Sequence, residues 1–286
     1  MTSMTAQVAT SADGTRIEYL TTGRGPGLIA VPGALSTAET LGPLAGHLGE
    51  RYTVHVVQRR GRGGSGPQGD RYGIERELED LEAVREQTGA RLVFGHSYGG
   101  LVALRFACGN AALDGVAVYE PGVSDGGSIP VGWIDRTQHE LQEGEPFEAF
   151  LTFVRGTNPE QSGRVPRWFL RAILRLAIRA DARRRMLSLM PEAVREHVEV
   201  GRFDSRTDDY SAISAATLVM RGKGSATSGT AVTLGRLADV IPRGHALRLD
   251  GLDHFAPEKR PDRVADAVQR FFGGRWAESP VSRRPR

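Results

Sequence analysis

Short apolar runs bounded by turn residues alternate along the chain with stretches whose apolar positions recur every three or four residues. The runs at 27–31, 52–57, 91–94, 115–119, 217–220 and 245–249 are brief and rich in Val, Leu, Ile and aromatic residues. Runs of this kind suit strands buried on both faces. The stretch 16–20, after the turn Ala12-Asp13-Gly14, predicts an earlier strand. Ile74, Leu78, Leu81 and Val84 share one helix face, as do Val264, Val268 and Phe271 in a helix opened by Pro261. Strand and helix in alternation predict a mostly parallel sheet covered on both faces.

The alternation stops between about Pro121 and Ser211. Helical patterns, cut by Pro130, Gly132, Pro146, Pro159, Pro166 and Pro191, fill that stretch without a convincing strand. We therefore expect a helical insertion over 122–211, placed after the sixth strand, on a core formed by 1–121 and 212–286. The tail from 273, GGRWAESPVSRRPR, is polar with Gly and Pro and is expected to be disordered.

A chain of 286 residues fits one large α/β domain carrying such an insertion. Its 40% hydrophobic and 25% charged residues argue against disorder throughout. A net charge of +3 is too small to suggest nucleic acid as a partner. Lys223 and Lys259 are the only lysines, so almost all the basic charge is arginine. Cys108 is the only cysteine, which excludes an internal disulfide and a thiolate metal cluster within one chain. No apolar run approaches the roughly 18 residues of a membrane span, and residues 1–14 lack a signal-peptide core. A cytoplasmic location is the expectation.

The chemistry-bearing motif is Gly95-His96-Ser97-Tyr98-Gly99-Gly100. It follows the strand-like RLVF and precedes the apolar helix LVALRFA, the strand–turn–helix context that G-x-S-x-G requires. Ser97 must sit on a tight, strained turn so that its hydroxyl stands clear of the backbone. Gly95 and Gly99 remove side chains that would collide there, and the helix start aims N–H groups at any anion formed beside Ser97.

With this motif, VPGALS at 31–36, RRGRGGSG at 59–66, GLDHFAP at 251–257 and RPDRVADAVQRFF at 260–272, the chain resembles the α/β-hydrolase superfamily, closest to its capped serine hydrolases. The resemblance implies an eight-stranded, mostly parallel sheet flanked by helices, with a helical cap. Dehalogenases and epoxide hydrolases of this fold carry Asp at the elbow. Ser97 disfavours those chemistries.

A serine hydroxyl needs a base. His254, after the last strand and before the final helix, stands where the superfamily places it. His96 lies inside the elbow and is expected to point away from the site. His47 and His139 fall in helix-like stretches, His55 in a strand, His197 in the insertion and His245 at a strand start. The acid common to the family, three residues past the glycine after the seventh strand, is replaced here by Ser225. Glu120, at the end of GVAVY, is the substitute we expect, as in some haloalkane dehalogenases, and it keeps the family order of nucleophile, acid, base. Asp253, Asp250 or no carboxylate at all are the alternatives. By position, the backbone N–H groups of Tyr98 and Ala34 would form the oxyanion hole, since Pro32 has no N–H to give.

The insertion is the only guide to substrate. Trp133, Phe147, Phe150, Phe153, Trp168 and Phe169 are mostly expected in its core, with the remainder lining an apolar pocket. Arg167, Arg171, Arg175, Arg179 and Arg183 recur every four residues. One reading is a basic stripe that docks an acidic carrier protein, a nucleotide or a lipid surface; the other is a solvated helix face. The expected function is hydrolysis of a small-molecule ester, lactone or thioester, with no metal or organic cofactor. A carbon–carbon bond hydrolase, a cyclase and a non-catalytic ligand receptor are the alternatives.

Overall fold

The computed structural model describes residues 3–157, 159–222 and 228–274. Eight strands run through them: β1 (Thr5–Thr10), β2 (Arg16–Gly23), β3 (Gly27–Val31), β4 (Thr53–Val57), β5 (Leu92–His96), β6 (Gly115–Tyr119), β7 (Ala216–Gly222) and β8 (Gly244–Leu249). They form one sheet in the order β1-β2-β4-β3-β5-β6-β7-β8. The pairs β1–β2 and β2–β4 are antiparallel and every other pair is parallel. The central strands carry the continuous apolar runs because both of their faces are covered. In β6 every residue is buried.

Around the sheet lie α1 (Gly42–Leu48), α2 (Ile74–Thr88), α3 (Tyr98–Ala107), α10 (Ser228–Val240), α11 (Ala256–Lys259) and α12 (Pro261–Phe272). On one face Val93, Val116 and Val219 pack with Leu81 and Val84 of α2, Leu101 and Leu104 of α3, and Leu234 and Leu237 of α10. On the other, Phe94, Ala117 and Leu218 meet Leu44 of α1 and Val264 and Val268 of α12. Each fully buried Val, Leu or Phe side chain among these contributes about 1.5–3 kcal/mol.

The first strand is a difference from expectation. β1 is an edge strand with mostly exposed residues, so its sequence TAQVAT lacks the apolar signature of the central strands. The long helical stretch is present: α4 (Ile134–Gln142), α5 (Pro146–Thr157), α6 (Pro159–Ser162), α7 (Arg167–Ala177), α8 (Ala180–Ser188) and α9 (Met190–Arg202) all fall between β6 and β7. Trp133 and Phe150 are buried there with Met190 and Val194, and Phe153 is half-buried against them. Trp168 and Phe169, in contrast, are exposed on α7.

The arginine stripe is also not one continuous helix face. The chain breaks between α7 and α8, where Ile178 leaves helical geometry. Arg167 pairs with Glu140 and Glu148, and Arg171 with Glu148. Arg183 turns back to donate to the carbonyls of Arg175 and Ile178 at 2.9 and 3.0 Å. The expected disorder of the tail concerns residues that, from 275 onward, lie outside the described ones.

Candidate active site

Because β3, β5, β6, β7 and β8 are parallel, the loops at their carboxyl ends gather along one edge of the sheet. Ser97 follows β5 as the cap of α3, with φ 54° and ψ −124°. That conformation costs a non-glycine residue of order 1–3 kcal/mol and persists only where the surroundings enforce it. The enforcement is visible. A Cβ on Gly99 would lie 2.3 Å from the Val31 carbonyl oxygen, and one on Gly95 would lie 2.5 Å from that of Gly99. Strand, turn and helix are therefore in direct backbone contact, and the Ser97 N–H donates to the Tyr119 carbonyl at 3.1 Å.

His254 Nε2 lies 3.2 Å from Ser97 Oγ, and His254 Nδ1 lies 2.8 Å from Glu120 Oε2. The Nδ1 proton is fixed by the carboxylate, which leaves the Nε2 lone pair facing the serine hydroxyl. Glu120 is buried and has φ 42°, a second strained residue at a strand end. Its other oxygen accepts the Gly222 N–H at 2.8 Å. The end of β7 thus supplies a donor to the carboxylate of β6. Ser225, at the position of the common acid, lies outside the described residues.

The other carboxylates are engaged elsewhere. Asp253 caps the backbone N–H of Phe255 and pairs with Lys259 at 3.0 Å. Asp250 is exposed and pairs with Arg248.

His96 corrects one expectation. It does not point away from the site. Its ring packs 5.0 Å from that of His254, and its Nε2–H donates to the His254 carbonyl at 2.8 Å. Burial, reinforced by the nearby His254, pushes its pKa down to about 3, so it is neutral. Tyr119 Oη donates to the Asp253 carbonyl at 2.8 Å. Two uncharged side chains on neighbouring strand ends therefore pin the loop that carries His254. His55 is buried on β4 beside Thr21, and His47 and His139 are exposed. His197 lies on α9 between Trp133 and Phe153, with ring centroids 5.2 and 5.0 Å away.

The loop after β3 lies beside the serine: a Cβ on Gly33 would be 3.2 Å from that of Ser97. Tyr98 is the first residue of α3, so its N–H belongs to the unpaired first turn. The Ala34 N–H donates to no backbone acceptor among the described residues. The carbonyls of that loop are held from behind. Arg59 donates to Gly33 at 3.0 Å, and Arg62 donates to Ala34 and, at 3.1 Å, to Ser36.

Those arginines form a buried cluster that motif reading missed. Arg59 binds Glu77 of α2 at 2.8 Å and Glu196 of α9 at 3.0 Å; Arg62 binds Glu196 at 2.7 Å. All four side chains are at most 2% exposed. Burial opposes the Arg59 charge, but Glu196 and Glu77 outweigh it and raise its pKa above the usual guanidinium value. Tyr72 joins Glu77 to the hydroxyl of Tyr98, and Arg59 lies over the Tyr98 ring. A signal was available. Glu77 shares a helix face with Ile74, Leu81 and Val84, and Glu196 a face with Ala193 and Val200. An acid on an apolar face demands a buried cation.

The profile described as the Alpha/beta hydrolase family matches residues 28–267. An alpha/beta hydrolase from Sphaerobacter thermophilus is 32% identical, with TM-score 0.80, over 93% of this chain and all of that one. N-formylmaleamate deformylase of Pseudomonas putida is 38% identical over 123 residues, 41% of this chain and 46% of the relative, so the match spans under half of that enzyme. Esterase RhEst1 from Rhodococcus shares the fold, with TM-score 0.68 and 20% identity over 94% of this chain and 98% of that one.

Proposed function

Because this chain belongs to the alpha/beta hydrolase family, we propose that it hydrolyses an ester, lactone or thioester through an acyl-enzyme on Ser97. The observation that carries this reading is the unbroken line Ser97 Oγ, His254, Glu120, with separations of 3.2 and 2.8 Å. In the proposed reaction Ser97 Oγ attacks the substrate carbonyl while its proton passes to His254 Nε2. Glu120 stabilises the imidazolium. The oxyanion is received by the N–H groups of Tyr98 and Ala34, each typically worth about 3 kcal/mol in such a site. His254 then protonates the leaving group, and water activated by the same ring releases the acid.

The helices within 122–211 act in this reading as a cap that shapes the acyl pocket. Leu35, in the loop beside Ser97, packs against both the sheet core and the cluster around Trp133 and Phe150, which supports that role. Glu196 ties α9 to the same loop through Arg62.

A second reading is favoured by the deformylase similarity: the bond cleaved is an amide C–N bond. The same serine, base and oxyanion donors would serve it, with His254 protonating a leaving nitrogen.

The test is labelling by a fluorophosphonate, with adduct mapping, followed by turnover of an aryl ester, a lactone, a thioester and an N-formyl amide. We expect one adduct on Ser97, ester turnover, and loss of both in a folded Ser97→Ala variant. Absence of labelling in folded protein overturns the serine mechanism and favours a receptor. Preference for the formyl amide selects the second reading.

A further inference from the structure

Helix α7 presents an apolar face that nothing in the fold covers. Seven large hydrophobic side chains are exposed among the described residues, and four of them stand on this one helix. Trp168 is 72% exposed, Phe169 47%, Ile173 40% and Leu176 91%. At about 100° per residue these four positions fall on one continuous arc. Leu170 is the only buried residue of the helix. A surface helix ordinarily turns such an arc toward the core, and an uncovered one marks a contact surface.

Arginine dominates the charge of the stretch that carries this arc. Residues 164–185 contain eight arginines and a single carboxylate, Asp181. Arg167 and Arg171 are taken up by Glu140 and Glu148, and Arg179 by Asp181. Arg164, Arg175 and Arg184 have no carboxylate partner among the described residues. Arg175, on the helix itself, lies over the Phe147 ring. An apolar helix face in a segment rich in guanidinium groups without carboxylate partners is complementary to one kind of surface: acyl chains beneath phosphate headgroups.

We propose that α7 docks the protein on bilayers containing anionic phospholipid, with Trp168 and Leu176 entering the acyl boundary and the flanking arginines on the phosphates. A second copy of the chain fits less well, because a two-fold contact through α7 would set the arginine-rich borders of both copies against each other. An acidic protein would satisfy the arginines but leaves the four apolar side chains without a role.

The experiment is flotation of the full chain with vesicles of phosphatidylcholine alone and of phosphatidylcholine mixed with phosphatidylglycerol. Binding is expected to the mixed vesicles, with little to phosphatidylcholine alone. The double variant Trp168→Ser, Leu176→Ser should lose at least roughly tenfold in binding. It should keep the wild-type unfolding midpoint, since both side chains are exposed. Raising salt to about 0.5 M should weaken binding several-fold. Trp168→Phe should still bind while abolishing the vesicle-induced blue shift of tryptophan emission. The proposal is overturned if the chain ignores the mixed vesicles. It is also overturned if the double variant binds as well as wild type, or if the same two side chains prove to hold a dimer in sedimentation equilibrium.

Discussion

Arginine does opposite things in two parts of this molecule. Arg59, Arg60 and Arg62 are nearly inaccessible, and each meets a carboxylate: Glu77 and Glu196, Asp80 and Asp13, and Glu196 again. The arginines between 164 and 185 lie mostly at the surface, and several meet no acid at all. Both groups read as basic runs. The difference arises from what faces them. Helices α2 and α9 offer acids on their buried faces, so the first group is drawn inward and locks three parts of the chain to the loop beside Ser97. No such acids face Arg164 or Arg184. A buried charge must be matched and therefore positions its neighbours, whereas an exposed one is screened and free to look outward.

Substitutions at the buried cluster should have the largest effect on stability. Glu196→Ala leaves two buried guanidinium groups facing each other, and a loss of about 3–5 kcal/mol is expected by denaturant unfolding. A loss below about 1 kcal/mol would mean that water or relaxation replaces Glu196 and that the contrast with the surface is shallow.

The same contrast applies to the carboxylates near His254. Glu120→Gln keeps the shape but cannot stabilise an imidazolium, and turnover should fall at least roughly 10²-fold, about 2.7 kcal/mol. Asp253→Asn, at the exposed helix start, should change turnover less than about threefold. If Asp253→Asn proves the more damaging, the acid has been placed on the wrong residue.

Histidines sharpen it through pH. Burial pushes His55 down to about 4. The unfolded chain takes up a proton there near pH 6.5, whereas the folded chain does so only near 4. This folded pKa is depressed, so the folded state is penalised as pH falls through that window and relieved above it. His55→Gln should therefore flatten the stability curve between those values by about 1.4 kcal/mol per pH unit. The smallest effect is expected at Arg179→Ala, within about 0.5 kcal/mol of wild type, because its pair with Asp181 is exposed on both sides.

Much of this was legible in order along the chain. The central strands, the elbow around Ser97, the histidine before the last helix and the glutamate ending β6 are all signalled locally. Each depends on residue type at short range: continuous apolar runs, glycines where backbones touch, a carboxylate just past a strand end. Three features were not legible in that way. The edge strand β1 is exposed, so it lacks the apolar run by which buried strands are recognised. The contact of His96 with the His254 carbonyl spans 158 positions and depends on how β5 and the loop after β8 lie side by side. The sorting of arginines into buried locks and exposed ones depends in part on an acid far along the chain, since Glu196 lies more than a hundred residues from Arg59 and Arg62. Sequence by itself determined which residues can do chemistry and which segments form strands and helices, because those follow from local sterics and periodicity. Only the tertiary structure decided which charges are desolvated, since burial and pairing are properties of what the rest of the chain brings alongside.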